Sequence, residues 1–106
     1  GGVFYAKDTC EQMVAMTAEA AQLSEERDVA ASLSQAKKMS AFLESRHLIL
    51  SLYVRHDELE KLTTHLLHLY AQAEAGDAEV HTVLVQIAFM ARHIYERELP
   101  NLDNLL

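Results

Sequence analysis

Residues 59–76, LEKLTTHLLHLYAQAEAG, set leucine at 59, 62, 66 and 69 and alanine at 73, then stop at Gly76. Steps of three and four put those side chains on one face of a helix and leave the polar residues on the other. Glycine enters the left-handed conformation that closes many helices without steric cost, so Gly76 marks the end. A striped helix of this kind needs an apolar partner, and the sequence on both sides supplies more of the same period.

Upstream, Asp57 followed by Glu60 has capping-box spacing, so a break or sharp bend is expected at Arg55-His56-Asp57-Glu58. Before it, a helix starting at Asp28 carries Val29, Leu33, Ala36, Ser40, Leu43, His47, Leu50 and Val54 on one seam, with Met39, Phe42, Ile49 and Tyr53 beside it. Two seams imply a central helix that touches more than one neighbour. A first helix is expected to open at Asp8, with Glu11 reaching back to the cap, to show Met13, Met16, Ala20 and Leu23, and to end near Glu25. Downstream, Asp77 is expected to cap a fourth helix with Val80, Leu84, Ile87, Ala91 and Ile94 on one stripe, flanked by Val83 and Met90. That helix ends before Pro100, whose ring disfavours helix at Leu99. The tail, Asn101 to Leu106, is half apolar and can fold back on the bundle.

Four helices with short links give an all-α chain, and the simplest packing is an antiparallel four-helix bundle of two helical hairpins. Met13, Met16, Ala20 and Leu23 map onto Leu59, Leu62, Leu66 and Leu69 with a constant shift of 46, so a tetratricopeptide-like array of two hairpins is the alternative. Three glycines and one proline in 106 residues leave almost nothing to build the turns of a sandwich or barrel. Half the residues are hydrophobic, enough for one core, and the single cysteine, Cys10, can make no internal bridge. Nine basic against sixteen acidic residues give a net charge of −7, which disfavours duplex nucleic acid and anionic membrane surfaces as partners. The chain opens Gly1-Gly2 instead of with methionine; residues 1–7 are expected to lie outside the domain, with a tag scar at Gly1, and residues 8–106 to form a single helical domain.

Six histidines invite a metal or proton-transfer reading. Glu44 and His47 have the Glu-x-x-His spacing of a carboxylate-bridged di-iron bundle, but the motif occurs once, where two copies and two further glutamates are required. His65 with His68, and His93 with Glu96, are spaced to pinch a divalent ion and read more simply as solvated surface. Arg55-His56-Asp57 resembles part of a sensor-kinase phosphoacceptor box without the residues that complete it. No glycine-rich phosphate loop, no nucleophile elbow and no Cys-His pair is present. The expectation is a non-enzymatic domain with no catalytic, cofactor or metal residues.

One feature departs from the bundle pattern. Val85 and Phe89 point to the side of the fourth helix opposite its stripe, beside Arg92, His93 and Glu96. Three explanations stand: Leu102, Leu105 and Leu106 cover the pair, a partner protein or second copy does, or the fourth helix is buried all round. Leu67 poses a smaller version of the same question.

From Asp28 onward the chain resembles a family of small proteins from Gram-positive, clostridia-like bacteria, domain of unknown function 4363. The resemblance rests on Arg27-Asp28 with Ala31, on Leu52-Tyr53-Val54-Arg55-His56-Asp57-Glu58-Leu59, and on Ala75-Gly76-Asp77. It continues through Phe89-Met90-Ala91-Arg92-His93-Ile94-Tyr95-Glu96 and Leu102-Asp103-Asn104-Leu105-Leu106. It implies an N-terminal membrane span outside this sequence, with residues 1–7 holding its juxtamembrane remnant, and a helical domain beyond the membrane. It lends His56, Glu58 and Asn104 a shared place in the family motifs and brings no activity, substrate or cofactor. The functional expectation is therefore an extracytoplasmic, membrane-anchored module that contacts another protein, with Val85, Phe89, Arg92 and His93 as its surface. The alternative is a small-molecule or metal-sensing domain with a cavity lined by His47, Tyr53 and Met39.

Overall fold

A computed structural model describes residues 1–76 and 79–99. Four helices follow one another: α1 Gly2–Glu25, α2 Val29–Tyr53, α3 His56–Ala75 and α4 Val80–His93, the last running into a π-helical turn at Ile94–Glu98. α1 packs on α2 and α4, and α3 packs on the same two helices. The α1–α4 contact closes the ring, which an array of two stacked hairpins leaves open, so the chain is an all-α four-helix bundle. Its axis is filled by Met13, Met39, Leu50, Leu59, Leu62, Leu66, Leu69, Ile87 and Ile94, all essentially without solvent contact.

The leucine stripe that decides the fold is buried from Leu59 to Ala73, and Gly76 closes α3 at φ +67°. In α4, Val80, Val83, Leu84, Ile87 and Ala91 are buried as their spacing requires, and Ile94 continues the stripe into the π turn. The closing bond of that turn spans five residues, from the Leu99 N–H to the Ile94 carbonyl at 3.1 Å. At the start of α2 the Asp28 carboxylate accepts from the Ala31 N–H at 3.0 Å, satisfying one of the free amides of the first turn.

Three expectations are corrected. First, α1 begins at Gly2 and not at Asp8. Asp8 is no cap; its carboxylate accepts from Gln12 Nε2 at 2.6 Å one turn on. The core extends upstream of it, because Ala6 is fully buried and Gly2 lies so close to Tyr53 that a Cβ there would run into the ring. Second, α3 is capped by Arg55 without a side-chain bond, and Asp57 sits in its first turn, where a carboxylate faces the positive end of the helix dipole. The bend itself falls where expected, at extended Val54 and Arg55.

Third, the α2 seam holds only in part. Ala36, Leu43, Leu50 and Val54 are buried as expected and Gln35 and Met39 join them, whereas Val29 and His47 are exposed and Leu33 and Ser40 only half-buried. Gln35 enters the interior because its amide has partners, donating to the Met16 carbonyl at 3.3 Å and to Glu19 at 3.4 Å. In α1, Thr9 and Thr17 join the buried face by the same rule, their hydroxyls donating to Tyr5 O at 2.9 Å and Val14 O at 2.6 Å. The expected Asp77 cap, the expected packing of residues 101–106 and Asn104 lie outside the described residues.

Candidate interaction surface

The stripe of α4 faces the core, so residues half a turn away face outward. Val85 and Phe89 do, with 55% and 69% of their surface in solvent. Burial of α4 on every side is thereby excluded, and cover by Leu102, Leu105 and Leu106 concerns residues outside the described ones. One turn further, the His93 ring stacks on Phe89, 6.5 Å between centroids and 17° between planes. Beside this ridge runs a groove between α1 and α4, in two stretches of about 400 and 210 Å³ that share Val14 and Arg92 as lining. Ala18, Ala21 and Ala88 line the second stretch, and their small side chains leave room along it. The four residues expected to form an interaction surface thus lie on one outer face, with Arg92 at the groove edge.

At the end of the groove nearest the π turn, the Glu11 carboxylate, through hydrogen bonding and through its charge, holds the Tyr95 phenol above its ordinary range. Lys7 Nζ stands 5.2 Å from the centre of the same ring. Cys10 lies on the groove floor but is itself buried, and desolvation, helped by the Glu11 charge, pushes its thiol from 9.0 up to about 12. A thiol so hard to ionise is a poor nucleophile, so the groove offers shape and charge without a reactive group.

The family-motif residues at the α2–α3 elbow make a different arrangement. Glu58 is mostly buried and accepts from Arg55 Nη2 at 3.3 Å, with Lys61 Nζ 3.8 Å away. Arg55 also donates through Nε to Glu98 at 3.1 Å, tying the elbow to the π turn. Asp57 first, then Glu98, hold the guanidinium in its charged form. His56 is exposed and pairs with Glu60 at 3.4 Å when protonated. These charges satisfy one another around a backbone bend, so Glu58 reads as the centre of a clasp.

The other histidine arrangements do not converge. Glu44 and His47 face outward on α2, and no group of three or more His, Cys, Asp or Glu able to hold a metal occurs among the described residues. The His65 Nδ1 donates to the Lys61 carbonyl at 2.8 Å, and its ring lies 6.0 Å from that of His68 at a 52° tilt. His47, Tyr53 and Met39 are not brought together: Met39 is in the core, Tyr53 lies against Gly2 and His47 is exposed.

A second apolar surface was only partly read from the sequence, which singled out Leu67 but not Leu48 and Leu52. Leu67 lines a groove between α2 and α3, about 220 Å³, with Leu43 and Leu66 beneath and Glu44 and His47 at its edge. Leu48 and Leu52, both exposed, continue the apolar surface along α2. Their spacing of four, off the buried seam, was the available signal.

Among the described residues no helix is long and apolar enough to cross a membrane. Comparison with curated proteins and with solved structures finds no match. The family model headed domain of unknown function, DUF4363, matches residues 2–105, nearly the whole chain, and the protein belongs to that family.

Proposed function

We propose that this chain is the extracytoplasmic helical domain of a single-span membrane protein, and that it works by binding another protein through the Val85–Phe89 face. The observation that carries the reading is the exposure of an apolar pair on α4, beside a groove lined by alanines, in a helix whose opposite stripe is fully packed. Hydration of a phenylalanine ring and a valine is unfavourable, and an apolar patch kept in water on one face of a charged bundle marks a contact region. Val85, Phe89 and His93 supply the apolar and stacking surface, and Arg92 supplies a fork of donors for a partner's carboxylate. The membrane anchor is supported by the family resemblance and the interaction role by this geometry.

A photo-crosslinking residue in place of Val85, in the protein in its native membrane, tests the reading. The expected result is a discrete crosslinked band containing a protein partner, absent when the same residue replaces Gln86, the exposed neighbour. Equal, diffuse labelling from both positions would contradict it.

A further inference from the structure

We infer that the partner on this face is a second copy of the chain, an inference that rests on the interaction reading and names its occupant. The first argument is shape. Val85 and Phe89 form a ridge, and the groove lined by Ala18, Ala21 and Ala88 runs directly beside it, so one face carries both halves of a ridge-into-groove contact. A two-fold axis through such a face sets the ridge of each copy in the groove of the other, which is the requirement for an isologous dimer.

The second argument is charge. Two copies of a chain with net charge −7 repel on average, so they can meet only where the surface is locally balanced. The α1–α4 face is balanced: Lys7 and Arg92 stand against Glu11 and Glu96, with the histidines as further, weakly basic members. A two-fold pairing turns the cations of one copy toward the carboxylates of the other.

Sedimentation equilibrium on the purified chain, from low micromolar to about 1 mM, spans the affinities of weak transient dimers. The expected result is an average mass that rises toward twice the monomer value, and a Phe89→Asp variant that stays monomeric with unchanged helical circular dichroism. Wild-type protein that is monomeric throughout, or a dimer that Phe89→Asp and Val85→Asp leave intact, would overturn the inference. A monomer that still gives the crosslinked band from position 85 would assign the face to a foreign protein, and the interaction reading would survive without the dimer.

Discussion

The Arg46 guanidinium lies over the Tyr5 ring, 4.1 Å from its centre, and over the Phe42 ring at 4.9 Å. Asp8 approaches Arg46 Nη1 only to 3.9 Å, so the two aromatic rings are its main partners. This contact fastens the first turn of α1, which a reading of the sequence alone sets outside the domain, to α2. Replacing Arg46 with alanine should lower stability by about 1–2 kcal/mol, through lost stacking and lost packing of the stem. Lysine, which keeps the charge without the planar stack, should recover less than half of that. Urea titrations followed by circular dichroism measure both.

Removing residues 1–7 should be costly for the same reason, by about 2–4 kcal/mol, because it uncovers core around Ala6 and frees Arg46 and Tyr53. A truncated chain that melts with the intact one would support a domain boundary at Asp8.

The boundary shows what a local signal can and cannot carry. Asp8 followed by Glu11 has the spacing of a cap, but spacing is silent on whether upstream residues already have something to pack against. Ala6 and Gly2 are small, give almost no hydrophobic signal, and are placed by tertiary contact with α2. The α3 and α4 stripes were legible because leucine, isoleucine and valine repeat there without interruption. The α2 interior was harder: a glutamine whose amide finds two acceptors on α1 counts as polar in sequence and as core in the fold. Of the interaction surface, Val85 and Phe89 stood out as apolar residues on the wrong side of a strong stripe. Leu48 and Leu52 did not, because α2 shows apolar residues on so many sides that no single face looks wrong.

Cys10 sets a pH dependence. Its folded-state pKa is raised to about 12 from an ordinary 9.0, so the folded protein keeps the proton longer than the unfolded chain does. The stability this contributes is complete below about pH 9 and is lost as the pH climbs toward 12, because the unfolded chain gains by ionising first. Wild-type protein should therefore lose stability faster between roughly pH 8.5 and 10.5, the accessible part of that window, than a Cys10→Ala variant does. Parallel slopes would contradict the burial of the thiol. The same burial should leave Cys10 unreactive toward maleimide at neutral pH, so that a cysteine introduced at exposed Gln86 reports location with a membrane-impermeant reagent.

Core and surface apolar residues should separate cleanly. Ile87→Ala removes a side chain with no solvent contact and should cost about 2–4 kcal/mol. Phe89→Asp, two residues away on the exposed side, should stay within about 0.5 kcal/mol of wild type in dilute solution. Thermal melts at low protein concentration distinguish the two, and a large loss from Phe89→Asp would place that ring in the fold and not at a contact.

The Arg55–Glu98 bond joins positions 43 apart in sequence, yet Arg55 is largely exposed. A double-mutant cycle between them should give only a weak coupling that fades with salt. A larger, salt-independent coupling would mean that the elbow and the π turn form a rigid unit.

The most direct test of a protein-covered α4 face is hydroxyl-radical footprinting of Phe89, compared between native membranes and the purified chain at low concentration. Oxidation of Phe89 should fall severalfold in the membrane, while His56, exposed at the elbow, reacts equally in both. Equal oxidation of Phe89 in the two settings would contradict a partner on this face.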